Sequence, residues 1–188
     1  MEVLKYDEST QLLTYGGPVM ISEAASLMWN DYKRTLPHGR CPDVGMTCIA
    51  SSGLATLSRH SGTVLDNIVG VRFALANGSI VDADAEHNSD LVWGARGAAS
   101  SMGVVLQFKM KTLEPPSPRV TNYTITFNTT YMPKQQDNVD ALLGTQNWAL
   151  SADNDDRLSI RYFFKTNTYM STAKRRRRQR ITASFATQ

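Results

Sequence analysis

One stretch of the chain gathers reactive side chains on stiff backbone: Leu36-Pro37-His38-Gly39-Arg40-Cys41-Pro42-Asp43-Val44-Gly45, with two prolines and two glycines in ten residues. Proline fixes φ and glycine admits conformations closed to other residues, so this segment reads as an irregular, well-held loop. Its chemistry would centre on Cys41. A cysteine beside Arg40 and close to His38 has the cationic surroundings that favour the thiolate, the form that acts as nucleophile and metal ligand. Taken alone, a cysteine in a small domain is more often an inert buried thiol, and Cys48 is expected to be one. His38, Cys41, Cys48 and His60 can be grouped into a zinc set on paper, but their spacing matches no zinc module, and no metal is expected. Two cysteines build no disulfide framework and leave the redox compartment open.

The elements that must position this loop follow from periodicity. Gln11 to Tyr15 reads as a short strand closed by Gly16-Gly17-Pro18. Ser22 precedes an amphipathic helix, Glu23 to Lys33, with Ala25, Leu27 or Met28, Trp29 and Tyr32 at helical spacing. From Leu65 to Ala85 the period becomes two, and Asn77-Gly78 between apolar runs predicts a hairpin. Asn88-Ser89-Asp90 starts a short helix, Leu91 to Ala95, in which Trp93 is expected to be core packing. The small residues Arg96 to Ser101 read as a turn. A strand at Val104 to Leu113 is expected to show Val104, Leu106, Phe108 and Met110 on one side. Glu114-Pro115-Pro116-Ser117-Pro118 is the clearest domain boundary. Beyond it a strand (120–127), a helix (133–150) and a strand (158–165) suggest a β-α-β opening. The mixture of hairpins and helices makes the fold class α+β.

With 188 residues and 41% apolar side chains, the chain can bury one core, or one core and the start of another. Its formal charge is only +3. The excess lies in Lys174 to Arg178 and Arg180; without that run the chain is net acidic, which argues against nucleic-acid binding by the folded part. The run and the residues after it, 171–188, are expected to be a disordered basic tail completing no strand or helix. No apolar window reaches membrane-spanning length, and Met1 to Lys5 do not open a signal peptide. Three sequons, Asn77-Gly78-Ser79, Asn122-Tyr123-Thr124 and Asn128-Thr129-Thr130, suit a secreted protein whose signal lies upstream; otherwise the location is cytoplasmic.

Several motifs occur in a recognisable order: the Leu36 to Gly45 loop, then Ser52-Gly53-Leu54-Ala55-Thr56-Leu57-Ser58-Arg59, Asp66-Asn67-Ile68-Val69, Ala76-Asn77-Gly78, Asn88 to Gly97, and Met102-Gly103-Val104-Val105. Together, from about Gln11 to Phe127, they resemble the FAD-linked oxidoreductases of the berberine-bridge and oligosaccharide-oxidase type, which carry a PCMH-type FAD-binding domain. The resemblance implies that residues 1–114 are the second half of that domain and that 115–170 begin an incomplete substrate domain. It implies FAD held covalently through Cys41, with Pro42, Val44, Gly45, Met46, Gly53, Gly103, Val104 and Val105 at the cofactor, mainly through backbone groups.

The chemistry implied is hydride transfer from a sugar, an alcohol-type or a secondary-metabolite substrate to flavin, with reoxidation by oxygen. A small-molecule substrate is the only partner expected, with no nucleic acid, membrane or protein partner. The family's pyrophosphate cradle and the histidine of its second covalent bond would precede Met1, and its C-terminal catalytic base has no counterpart here. Thr47-Cys48-Ile49 stands where the family has a Gly-His pair, and Ala55 replaces a glycine. Two readings remain: part of an FAD-linked oxidoreductase, or a remnant that folds without flavin and is catalytically inactive.

Overall fold

The structure is a computed structural model that describes residues 3–50, 53–115, 121–128, 135–154, 156, 158–168 and 177–187. The chain divides into two units, Met1–Pro115 and Pro116–Gln188.

The first unit runs β1 (Leu4–Asp7), β2 (Leu12–Gly16), α1 (Ile21–Tyr32), three single-turn helices α2 (Met46–Ile49), α3 (Ser58–Ser61) and α4 (Val64–Asn67), then β3 (Ile68–Ala74), β4 (Ile80–Ala83), α5 (Ser89–Met102) and β5 (Val104–Lys111). The strands form one antiparallel sheet in the order β1-β2-β5-β3-β4. Directly paired residues point to the same face, so the register assembles the core row by row. Leu4, Tyr15, Phe108, Val71 and Ala83 form one row across all five strands, and Tyr6, Leu13, Met110 and Ile68 the next. All but Leu4 and Tyr6 are buried, and α1 and α5 cover this face with Ile21, Ala24, Met28, Val92, Ala95 and Ala99. The outer face is polar: Lys5, Thr14 and Lys109 share a row, and Arg72 forms a two-pronged cross-strand ion pair with Asp82 (2.9 and 2.7 Å).

Several sequence expectations need correction. In α1 the buried stripe is Ile21, Ala24 and Met28, so Trp29 is exposed and the face is rotated from the one expected. The segment Arg96 to Ser101 is a turn only in its first half: the backbone is non-helical at Arg96–Ala98, with Gly97 at φ +123°, so a first helix ends at Ala95 as expected, and a second helical stretch then runs to Met102. Arg96 holds the kink by donating from Nε and Nη2 to the Ile68 carbonyl (3.2 and 2.7 Å). Trp93, expected in the core, is 79% exposed, because the buried positions of this helix are Val92, Gly94, Ala95 and Ala99. In β5 the register slips between Arg72–Gln107 and Phe73–Val105, leaving Leu106 as an extra residue. Such a bulge breaks alternation, so Phe108 and Met110 face the core while Val104 is exposed. The hairpin at Asn77-Gly78 is present, as a three-residue loop. Gly78 N–H donates to the Leu75 carbonyl (2.9 Å), Leu75 N–H donates to the Ser79 carbonyl (2.9 Å), and Gly78 takes φ +83°.

In the second unit β6 (Thr121–Asn128), α6 (Gln135–Ala149), β7 (Leu158–Thr168) and β8 (Arg177–Thr187) follow in order. The antiparallel sheet is β6-β8-β7, with β8 in the middle. This corrects the expected disorder at 171–188: residues 177–187 are a central strand, and the rest of that range lies outside the described residues. The physical reason is the alternation Ile181, Ala183, Phe185 against Thr182, Ser184, Ala186, which suits a strand paired on both edges. Among the described residues no helix is long and apolar enough to cross a membrane.

Entry into β5 depends on Gly103. A Cβ there would lie 2.6 Å from the Ala74 carbonyl oxygen, with φ +156°. Gly103→Ala should therefore cost about 1–3 kcal/mol in urea denaturation, whereas Gly97→Ala, with open space around it, should lose only the smaller cost of its positive φ. Tyr15 sits in the core row with its hydroxyl buried and unpartnered, and burial pushes its pKa up. Removing an orphaned hydroxyl relieves a desolvation cost, so Tyr15→Phe should keep stability or raise it by about 1 kcal/mol in the same assay.

Candidate functional site

The loop carrying Cys41 is tied down at both ends. At its start, Thr35 pairs with Leu113 just beyond β5, each N–H donating to the other's carbonyl (2.9 and 2.7 Å). Arg34 reinforces this stem: Nε donates to Thr112 Oγ1 (2.6 Å), and Nη2 donates to the Thr112 carbonyl (3.0 Å) and Gln11 Oε1 (3.2 Å). Leu36 and Pro37 then enter the core. Gly39 passes close to Ile21 and Ile49, whose side-chain carbons would lie 3.3 and 3.4 Å from an added Cβ. His38 turns back on its own backbone, Nδ1 lying 2.5 Å from the Gly39 carbonyl.

At its far end the loop supplies acceptors to the first turn of α1. The amides of a helix's first turn have no intrahelical partner. Here Ile21 N–H donates to the Val44 carbonyl (2.9 Å) and Ser22 N–H to the Pro42 carbonyl (3.1 Å). Met46 N–H donates to the Val19 carbonyl (2.8 Å), closing a short bridge between Met20 and Gly45. The chain direction reverses within this frame as Val44 N–H donates to the Cys41 carbonyl (3.4 Å). Cys41 is consequently an exposed thiol on backbone held from both sides.

The expected site residues separate into groups. Cys41, Pro42, Val44, Gly45 and Met46 lie on this one loop. Gly16, at the end of β2, pairs with Gln107, so the bridge at Val19 to Met20 and the start of β5, Gly103 to Val105, occupy the same end of the sheet. Val104 is exposed there, and Val105 is packed against the core. Met46 is different: its side chain is fully buried and its N–H is already used. Gly53 stands apart from the loop. With φ +79° it is buried under Leu65 and Thr63, and its carbonyl accepts from Val64 N–H (2.8 Å), so it fastens α2 to α4. Cys48, expected as a core thiol, is exposed, because the inward positions of α2 are Met46 and Ile49. Among the described residues no group of three or more His, Cys, Asp or Glu side chains could hold a metal ion.

Three positioning residues are not among the expected site residues, although Asn67 and Arg96 lie within motifs that carry the resemblance. Arg34 meets Thr112 across 78 positions, and Arg96 meets Ile68 across 28. Asn67, 6% exposed, donates from Nδ2 to the Ser61 and Thr63 carbonyls (3.1 and 2.8 Å) and so locks the turn before β3. Only Asn67 carries a local signal, the capping box of Thr63 and Asp66 just before it. A polar cleft of about 610 Å³, lined by Tyr6, Glu8, Gln11, Asp31, Arg34 and Glu114, opens at the Leu113 end of β5, away from Gly103 to Val105. The thiol and the glycine entry, rather than this cleft, carry the reactive and close-approach features.

Arg34 is a charged donor with three acceptors on the loop stem. Arg34→Ala should lower unfolding free energy by about 1.5–3 kcal/mol, and Arg34→Lys should recover little, since one ammonium cannot reproduce the guanidinium fork; chemical denaturation of the three proteins checks both.

No family model matches the chain. Its relatives are nonetheless clear. It is 35% identical to a carbohydrate oxidase of Microdochium nivale over 130 residues, covering 68% of this chain and 26% of that protein. Among solved structures, the xylooligosaccharide oxidase of Myceliophthora thermophila C1 in complex with xylobiose superposes with a TM-score of 0.79 at 27% identity, covering 98% of this chain and 36% of the other. Physcomitrella patens BBE-like 1 gives 0.76 at 26% identity, over 98% and 37%. Other relatives are named chitooligosaccharide oxidase, FAD-linked oxidoreductase and berberine bridge enzyme-like. The chain spans 26% to 37% of the length of these three proteins. On these similarities of sequence and fold, the chain belongs to the family of FAD-linked carbohydrate oxidases and berberine bridge enzyme-like proteins.

Proposed function

We propose that this chain is part of an FAD-linked oxidoreductase in which Cys41 anchors the flavin. The observation that carries this reading is an exposed thiol on a loop whose backbone is fixed at both ends, in a chain whose relatives are named FAD-linked oxidoreductases and oxidases. In this reading 1–114 are the second half of a PCMH-type FAD-binding domain and 115–170 open the substrate domain.

The donor set suits a flavin in part. Cys41 offers sulfur at the surface, Pro42 and Val44 hold the backbone beside it through bonds to α1, and Gly45 bridges Met20 just before that helix. Gly103 removes the Cβ at the entry to β5, and the exposed Val104 offers an apolar surface beside it. Met46 and Gly53 fit less well as direct contacts and act as supports of the loop and of α4. Bound there, FAD would supply a two-electron acceptor for hydride from a sugar, an alcohol-type or a secondary-metabolite carbon, with oxygen as the final oxidant. A sugar is the favoured class because one solved neighbour is described in complex with xylobiose. No nucleic acid, membrane or protein partner enters this reading.

A second reading, that the chain by itself holds no flavin and is inactive, is favoured by the commitment of Met46 N–H to Val19 and of Gly53 to packing. A site with only part of its contacts loses most of what opposes the entropy cost of binding. The visible spectrum of the purified chain, incubated with FAD and then denatured, separates the two. Yellow colour that survives denaturation and is lost in Cys41→Ser supports the anchor. Colour lost on denaturation in both proteins points to non-covalent flavin, and a colourless wild-type chain supports the second reading.

A further inference from the structure

We propose that Asn77 is an acceptor site for N-linked glycosylation, taking an oligosaccharide from a lipid-pyrophosphate donor. Of the three Asn-X-Ser/Thr triplets, this one lies in the connection between β3 and β4, residues 75–79, where residues 76–80 are all exposed. Asn122 lies inside β6, paired with Ala186, and Asn128 is paired with Arg180 on β8. An acceptor asparagine must be reached by a large enzyme, which favours a turn tip over a paired strand.

The local geometry adds to accessibility. Asn77 Oδ1 accepts hydrogen bonds from Ser79 N–H (3.0 Å) and Ser79 Oγ (2.7 Å). The side chain and the hydroxyl two residues on therefore already face each other, in the Asx-turn arrangement typical of asparagine in turns. Both bonds use the amide oxygen, and among the described residues none engages Nδ2, the atom that is to be modified. Gly78 stands in open space, with nothing within 4 Å of an added Cβ, so a bulky group at the tip meets no neighbouring backbone there.

The transfer is a substitution without redox change. A bond forms between Asn77 Nδ2 and the anomeric carbon of the first sugar as the bond from that carbon to the donor pyrophosphate oxygen breaks. The lipid pyrophosphate leaves with the electron pair, and one proton is lost from Nδ2.

The test uses the full 188-residue chain behind a supplied secretory signal in a yeast host. Chains with the signal removed are collected from both the lumen and the medium, so a retained chain still reports. Peptides are treated with peptide N-glycosidase in heavy-oxygen water and weighed. The expected result is a heavy-oxygen aspartate at position 77 in the wild type and in Ser79→Thr, and its loss in Ser79→Ala. An unmodified Asn77 peptide from signal-cleaved wild-type chains overturns the proposal. So does ordinary deamidation at Asn77-Gly78 without the heavy label, or labelling that persists in Ser79→Ala.

Discussion

The pairing of β5 with both β2 and β3 is the interaction on which the first unit depends. β5 contributes Phe108 and Met110 to the two central rows of the core. It joins residues 12–16 to 107–111, so its loop-closure entropy is large and is offset only once the whole row is buried. Two local features let β5 enter in register. Gly103 passes against the Ala74 carbonyl with no side chain in the way, and the bulge at Leu106 returns Phe108 to the inner face. Beyond the strand, Leu113 and Thr112 hold the stem of the Cys41 loop, so the candidate site inherits its position from this strand at both ends.

That inheritance accounts for the chemistry the loop can offer. Its carbonyls at Pro42 and Val44 satisfy first-turn amides of α1, and Leu36 and Pro37 are sunk in the core. The backbone is thereby immobilised by groups that need partners in any case, while Cys41 stays at the surface. Anchoring a cofactor benefits from this arrangement, because the supporting contacts are in place before the ligand arrives. Gly53 and Met46 belong to the support rather than to the surface, and their packing explains why a small flexible residue and a buried thioether stand there.

Particular residues mark how far the sequence was legible. The Asn77-Gly78 hairpin, the extent of α1, the strand after Gly103 and the stiff loop at Cys41 were readable because each is encoded by turn chemistry or periodicity within a few residues. The expected face of α1, the burial of Trp93 and Cys48 and the disorder of 177–187 were misread. In each case the sequence shows an apolar or a charged side chain and leaves open which neighbour covers it. Trp93 looks like core by composition, but Val92, Ala95 and Ala99 fill the space against the sheet. The charges of Arg177, Arg178 and Arg180 concealed a strand whose pattern starts just after them.

By itself the sequence determined the local pieces: the φ values open to its glycines and prolines, the alternation of its strands, and the order of motifs that marks its family. Tertiary structure decided the strand order β1-β2-β5-β3-β4, the exposure of Cys41, and the contacts of Arg34 and Arg96. The reason is physical. Local propensity acts over a few residues, whereas a buried row or a shared carbonyl exists only when segments distant in the chain meet and exclude water together.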